Sequence, residues 1–99
     1  MPLIDIKTMK NWNKFKNKLQ ADVSNVNGFR DITITRVGAH TIALDGAPFG
    51  IVWDFLGDGH LSLYAKARKY TSNEISLKDL TQLERVLNFH TIILLTDFN

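Results

Sequence analysis

The centre of the chain alternates apolar and polar residues from position 49 to position 67, and no other pattern constrains the fold as strongly. The apolar members lie on either side of Gly57-Asp58-Gly59 and are Phe49, Ile51, Trp53 and Phe55, then Leu61, Leu63, Ala65 and Ala67. Successive side chains of an extended strand point to opposite faces, so this spacing places all of them on one side. The sequence therefore predicts a two-stranded antiparallel ribbon with one apolar face.

Two more strands precede this ribbon. Ile32 and Ile34 alternate with threonines, and Ile42 and Leu44 follow a glycine-containing turn with the same alternation. Such β-branched runs between turns are typical of strands. Paired residues of an antiparallel ladder share a face, and this condition predicts the pairs Ile34–Leu44, Leu44–Phe49, Ile42–Ile51, Phe55–Leu61 and Trp53–Leu63. The result is a four-stranded antiparallel meander.

A helix is predicted at each end of the meander. The first runs from about Thr8, as N-cap, to Val26, and Asn27-Gly28 ends it. Its apolar stripe is Met9, Trp12, Phe15, Leu19, Val23 and Val26. The second helix opens at Ser76, with Asp79 in the capping-box position, and its stripe is Leu77, Leu80, Leu83, Val86 and Leu87. Beyond Asn88 two alternatives stay open: the helix continues, or a fifth strand begins.

These elements predict one α+β domain spanning residues 1–99. It has two layers and the order α-β-β-β-β-α, with both helices on the apolar face of the sheet. Trp53 and Phe55 are expected in the middle of the core because burying each side chain contributes about 1.5–3 kcal/mol. The order resembles that of double-stranded-RNA-binding domains, but Ser76-Leu77-Lys78-Asp79 lacks the lysine-rich start of their second helix.

Composition excludes several kinds of chemistry. The chain has no cysteine, which rules out disulfides, thiolate metal sites and thiol nucleophiles. His40, His60 and His90 lack a second histidine two to four positions away, so neither a metal site nor a cofactor is expected. The N-terminus has no apolar signal region, and the longest apolar run, Ile92 to Leu95, is too short to span a bilayer. We therefore expect a soluble, cytoplasmic protein with no membrane partner.

Positive charge is concentrated near the N-terminus although the net charge is only +2. Five lysines occur without an intervening acidic residue: Lys7, Lys10, Lys14, Lys16 and Lys18. Lys7, Lys10, Lys14 and Lys18 recur at three- and four-residue steps and line one edge of the predicted helix. This edge is either a solvated polar side or a surface that contacts anions.

The face of the sheet opposite the helices is the second candidate surface. Its members are mostly small or hydroxyl residues: Thr33, Thr35, Thr41, Ala43, Gly50, Val52, Asp54, Ser62, Tyr64, Lys66 and Arg68. A basic strip follows along the last strand, made of Tyr64, Lys66, Arg68, Lys69 and Tyr70. Tyrosines between cations can stack on bases while the cations contact phosphates. The alternative is that these residues protect an exposed strand from edge-to-edge pairing.

Three functions follow, in this order. Small size, the lack of a catalytic signature and the apolar C-terminal segment favour a non-catalytic binding protein, acting as a protein-directed adaptor, regulator or inhibitor of bacterial or phage type. A strand at Thr91–Thr96 could also form a homodimer.

The second function is binding of nucleic acid or nucleoprotein through the Lys7–Lys18 helix and the Tyr64–Tyr70 strip. The third is a small ribonuclease in which Asp54, paired with Ser62, approaches His60 as an acid–base pair; the alternative is a structural Asp–His contact.

Overall fold

Two helices and a three-stranded antiparallel sheet form an α+β structure in the part of the chain that is described. The structure, a computed structural model, describes residues 5–46, 51–57 and 76–97. The helices are α1 (Trp12–Ser24) and α2 (Leu77–Asp97). The strands are β1 (Thr33–Arg36), β2 (Thr41–Asp45) and β3 (Ile51–Asp54), in the order β1-β2-β3. The predicted fourth strand, after Gly59, lies outside the described residues.

The register of the first hairpin is as predicted, and that of the second is not. Ile34 lies opposite Leu44 between β1 and β2. Between β2 and β3, however, Leu44 lies opposite Ile51 and Ile42 opposite Trp53, so the predicted pairs Leu44–Phe49 and Ile42–Ile51 are wrong. The two registers differ by two residues along β3. Because side chains repeat with period two, such a shift keeps every apolar residue on its face, and alternation cannot distinguish the registers.

One apolar cluster joins the sheet to both helices. The helices contribute Trp12, Phe15, Leu19, Val23, Leu80, Leu83, Leu87 and Leu94. The sheet and the segment after it contribute Ile34, Ile42, Leu44, Ile51, Trp53 and Phe55. Both helices therefore cover the same face of the sheet, as predicted, and the threonines of β1 are exposed on the other face.

The first helix begins later than predicted. It starts at Trp12, and Asn11 precedes it without a capping hydrogen bond from its side chain, so Thr8 is not the N-cap. The Thr8 hydroxyl instead donates to the carbonyl oxygen of Asp5 within a turn. At the other end α1 stops at Ser24, two residues before the predicted Val26, and its C-cap is Asn25 in a right-handed conformation. Gly28, with φ = 93°, lies in the turns that follow, so the prediction that Asn27-Gly28 ends the helix is wrong.

Contacts with the sheet explain the late start of α1. The backbone N–H of Ile6 donates to the carbonyl of Ala39 at 2.7 Å. Arg36 on β1 donates from Nη1 to the carbonyls of Ile6 and Lys7, at 2.8 and 3.1 Å, and its guanidinium lies 5.0 Å from the Trp12 ring centre. These bonds use backbone groups of Ile6 and Lys7 and hold this segment against the sheet. The same groups are then not available for helical hydrogen bonds, so the helix begins only after this segment.

The second helix runs unbroken to Asp97, so the helical alternative for the C-terminal residues is correct and the fifth strand is wrong. Ser76 begins it as predicted, because its Oγ accepts the N–H of Asp79 at 3.2 Å. The Thr91 hydroxyl donates to the carbonyl of Leu87 at 2.7 Å and accepts the indole N–H of Trp53 at 3.0 Å. These bonds satisfy the hydroxyl of Thr91 and offset the low helix propensity of a β-branched residue. Leu77 was predicted on the buried stripe, but it is 70% exposed.

No helix in residues 5–46, 51–57 or 76–97 combines the length and apolarity that crossing a membrane would require.

The inner and outer sides of α2 predict effects of very different size for two nearby substitutions. Leu94 is buried in the core, so Leu94→Ala should lower the free energy of unfolding by about 2–5 kcal/mol. Ile92→Ala, on the exposed side of the same turn, should change it by less than about 0.5 kcal/mol. Urea denaturation followed by tryptophan fluorescence measures both. Equal losses would show that this end of α2 does not pack as described.

Candidate functional site

The outer side of α2 carries exposed apolar residues although the inner side is already packed in the core. Phe89 is 58% exposed, Ile92 64% and Leu95 40%. They lie three residues apart, so they are neighbours along one side of the helix. We call these three residues the outer patch. In its C-terminal half α2 is therefore apolar on two opposite sides, and among the described residues the core cluster contains only the inner side.

Two cations lie on the same side of α2, closer to its N-terminus. Lys78, Arg85 and Ile92 recur at seven-residue intervals, which places them in one row two turns apart. Both cations are exposed, and neither forms an ion pair with a described residue. The acidic residues Asp79 and Glu84 are half-buried and lie off this row. We call Lys78, Arg85 and the outer patch the outer face of α2; it is basic first and apolar afterwards.

The predicted lysine edge is exposed, but only part of it is helical. Lys14 and Lys18 lie on α1 four residues apart, and Lys7 and Lys10 lie in the turns that precede the helix. All four are exposed and form no ion pair within the described residues. The basic strip of Tyr64, Lys66, Arg68, Lys69 and Tyr70 lies outside the described part of the chain, so its place on the sheet stays a prediction.

Asp54 contacts His40 in the structure, whereas the sequence predicted His60 beside it. The Nδ1 atom of His40 lies 2.9 Å from Oδ1 of Asp54, and both side chains are 40% exposed. The same oxygen accepts the backbone N–H of Leu56 at 2.8 Å. His40 comes close because the register places its neighbour Thr41 opposite Asp54. His60 lies outside the described residues, so its approach to Asp54 stays a prediction.

An imidazole held by a carboxylate is a suitable general base if it also reaches a reactive group. Within the described residues, the only polar side chain bonded to His40 is Asp54. The pair connects the β1–β2 turn to the end of β3, where the backbone N–H of Phe55 also donates to the carbonyl of His40 at 2.9 Å. We interpret it as a structural contact.

His90 is part of the core rather than of a reactive surface. Its side chain is 4% exposed, and Nε2 lies 2.7 Å from Oδ2 of Asp22 on α1, which is 51% exposed. The rings of Phe15 and Phe89 meet the imidazole edge-on at 6.1 and 5.6 Å. The bond therefore connects the two helices. In residues 5–46, 51–57 and 76–97 no group of three His, Asp or Glu side chains is close enough to hold a metal ion.

No protein-family model, curated protein or solved structure matches the chain. The candidate site therefore rests on its geometry alone. Sequence reasoning missed the outer patch because it followed only the inner stripe of the helix. The signal was present, since Phe89, Ile92 and Leu95 repeat at three-residue steps off that stripe.

The bond between α1 and α2 predicts a loss of stability for Asp22→Ala. The substitution leaves the buried imidazole of His90 without its partner, which costs about 1–3 kcal/mol. It also removes an acidic residue from the last turn of α1, where a negative charge opposes the helix dipole, and this raises the free energy of unfolding by about 0.3–1 kcal/mol. We expect a net loss of about 1–2 kcal/mol in urea denaturation. Asp31→Ala is the control, because Asp31 is exposed and its side chain forms no hydrogen bond with a described residue; an equal effect there would contradict the assignment.

Proposed function

We propose that this protein is a small, non-catalytic binding protein that acts on another protein as an adaptor, regulator or inhibitor, of the type that bacteria and phages use. The outer face of α2 is its contact surface. The observation that carries the proposal is the exposure of Phe89 and Ile92 on a helix whose other side is anchored in the core. A contiguous apolar group on an exposed helix is typical of an interaction site.

The chemistry of this surface agrees with what protein interfaces use. Aromatic and aliphatic anchors at the centre, with a neighbouring arginine, supply most of the binding energy in many complexes. Leu87 and Leu94, on the opposite side of the helix, hold it in the core. An anchored helix loses little conformational entropy on binding, which favours affinity. A cytoplasmic location belongs to the same proposal, since a chain without cysteine suits a reducing compartment.

A homodimer through a strand at Thr91–Thr96 is excluded as a mechanism because these residues are helical. A dimer through the outer patch alone is also disfavoured. Side chains of this size offer about 200 Å² each when fully exposed, so three partly exposed ones supply about 300 Å². Stable interfaces bury about 800 Å² on each partner. We therefore propose a partner different from this chain, which adds contacts beyond the patch.

The test is removal of the outer patch without a change in the fold. Phe89→Gln combined with Ile92→Gln should reduce capture of the partner from a native lysate about tenfold or more, because interface anchors contribute about 1–2 kcal/mol each or more. Nuclease treatment of the lysate should leave capture by the unaltered protein unchanged. Quantitative mass spectrometry of the captured proteins provides the measurement.

The matched control is Val37→Gln combined with Leu56→Gln. Both residues are exposed and apolar, and both lie just beyond a strand of the sheet and not on α2, Val37 after β1 and Leu56 after β3. This control should capture as much partner as the unaltered protein. If the two double variants capture the same proteins in the same amounts, the outer face of α2 is not the contact.

A second function is favoured by a separate observation, the exposure of Lys10, Lys14 and Lys18 without acidic partners among the described residues. We propose nucleic-acid or nucleoprotein binding through this edge, together with the Tyr64–Tyr70 strip, as the alternative. Cations spaced at helical intervals can follow successive phosphates, and such contacts release counterions. The alternative ranks below the first because surface lysines on a helix need no partner other than water.

Charge reversal tests the alternative. Lys14→Glu combined with Lys18→Glu removes two phosphate contacts, so any affinity for a mixed-sequence duplex should fall. The magnitude of the negative slope of log K against log salt should decrease by about 2. Fluorescence anisotropy over a salt series measures both quantities. Lys78→Glu combined with Arg85→Glu makes the same change of charge on α2 and should leave duplex binding almost unaltered. Equal affinity before and after reversal on α1 would remove the lysine edge from consideration.

A further inference from the structure

The order of charge and apolarity along the outer face of α2 identifies the kind of partner. We infer that the partner docks an acidic amphipathic helix on this face, with its apolar stripe on the outer patch and its carboxylates opposite Lys78 and Arg85. The inference rests on the proposed function, which it makes specific. It is carried by the row of Lys78, Arg85 and Ile92 and by the exposure of Phe89 beside it.

The dimensions of the face suit a helix. From Lys78 to Leu95 the axis of α2 covers about 25 Å at 1.5 Å per residue. A helix of about 17 residues laid along it spans both regions, and residues at positions i, i+3, i+4 and i+7 present an apolar stripe of the required length. A flat surface without secondary structure would meet the narrow row at only a few points.

The charge of the face selects an acidic partner. Arg85 lies one turn from Phe89, so a carboxylate that pairs with it borders the apolar contact and is shielded from water on one side. Lys78 lies two turns from Arg85 towards the N-terminus of α2. It is at the exposed rim, where an ion pair contributes less than one beside the apolar contact. Both cations lack an acidic partner on the protein itself within the described residues. A basic helix would face repulsion from both.

A second copy of the chain fits this face poorly. Two identical outer faces placed side by side in parallel bring each cation against its equivalent, and an antiparallel pair centred on the outer patch leaves all four cations without a carboxylate from either face. An anionic lipid surface satisfies the cations as well. A flat membrane, however, gains no advantage from the helical spacing of Arg85, Phe89 and Ile92, whereas a helix does.

The test uses two synthetic helical peptides with the same leucine stripe and the same alanines, one carrying glutamates at its polar positions and the other carrying lysines there. Fluorescence anisotropy with the full-length protein should show about tenfold tighter binding of the acidic peptide. Lys78→Glu combined with Arg85→Glu should invert this preference. That variant is expected to fold, because Lys78 lies in the first turn of α2, where the helix dipole favours an acidic residue. Lys14→Glu combined with Lys18→Glu is the matched control and should keep the preference.

Each other outcome overturns the inference and also reports on the proposed function. Equal binding of both peptides, lost on Phe89→Gln with Ile92→Gln, shows an apolar contact without charge selection, and the proposed function stands. The same holds if neither peptide binds while capture from the lysate still depends on the outer patch. Binding to phosphatidylserine vesicles but to neither peptide assigns the face to a membrane. A doubled mass in sedimentation, abolished by the patch variant, assigns it to a second copy. If neither peptide binding nor capture depends on the patch, both proposals fail.

Discussion

The hydrogen bond from the indole of Trp53 to the hydroxyl of Thr91 determines how α2 is rotated about its axis. A buried indole N–H needs an acceptor, and Thr91 supplies it while donating its own proton to the carbonyl of Leu87. Thr91 therefore faces the sheet, together with Leu87 and Leu94. At 100° per residue, Ile92 must then turn away from the sheet, and Phe89, two residues after Leu87, lies about 200° from it. The exposure of Phe89 and Ile92 follows from this orientation of α2.

A second polar bond holds the same part of α2 from the side. His90 lies 2.7 Å from Asp22 on α1. Two adjacent residues therefore attach α2 to the rest of the fold: Thr91 to the sheet and His90 to α1. Buried polar contacts of this kind contribute less to net stability than to the choice of one arrangement over its alternatives. The two bonds start from adjacent residues, about 100° apart around the helix axis. Together they oppose rotation of α2, with Phe89 and Ile92 on its exposed side.

The sequence predicted those features that follow from period alone, and it failed where a decision depended on contacts between distant residues. The apolar stripe of α1 and the burial of Trp53 follow from periodicity, and the pair Ile34–Leu44 follows from periodicity together with the short glycine-containing turn between β1 and β2. The register between β2 and β3 does not, because a shift by two residues preserves both faces. The contact between His40 and Asp54 depends on that register and was therefore missed. The β-branched side chain of Thr91 favours a strand by propensity. In the structure its hydroxyl bonds to both Trp53 and Leu87 within the helix, and propensity cannot predict such contacts.

An exposed apolar group is a risk to a small protein, because it can close on a copy of itself before it meets a partner. Lys78 and Arg85 oppose that outcome, since two identical parallel faces bring cations near cations and neither orientation offers them a carboxylate from the other face. For the acidic partner proposed above, the same two cations would both disfavour self-association and favour the partner. Specificity that combines attraction with repulsion discriminates better than attraction alone. In the proposed complex, the outer patch would therefore supply most of the affinity and the two cations most of the specificity.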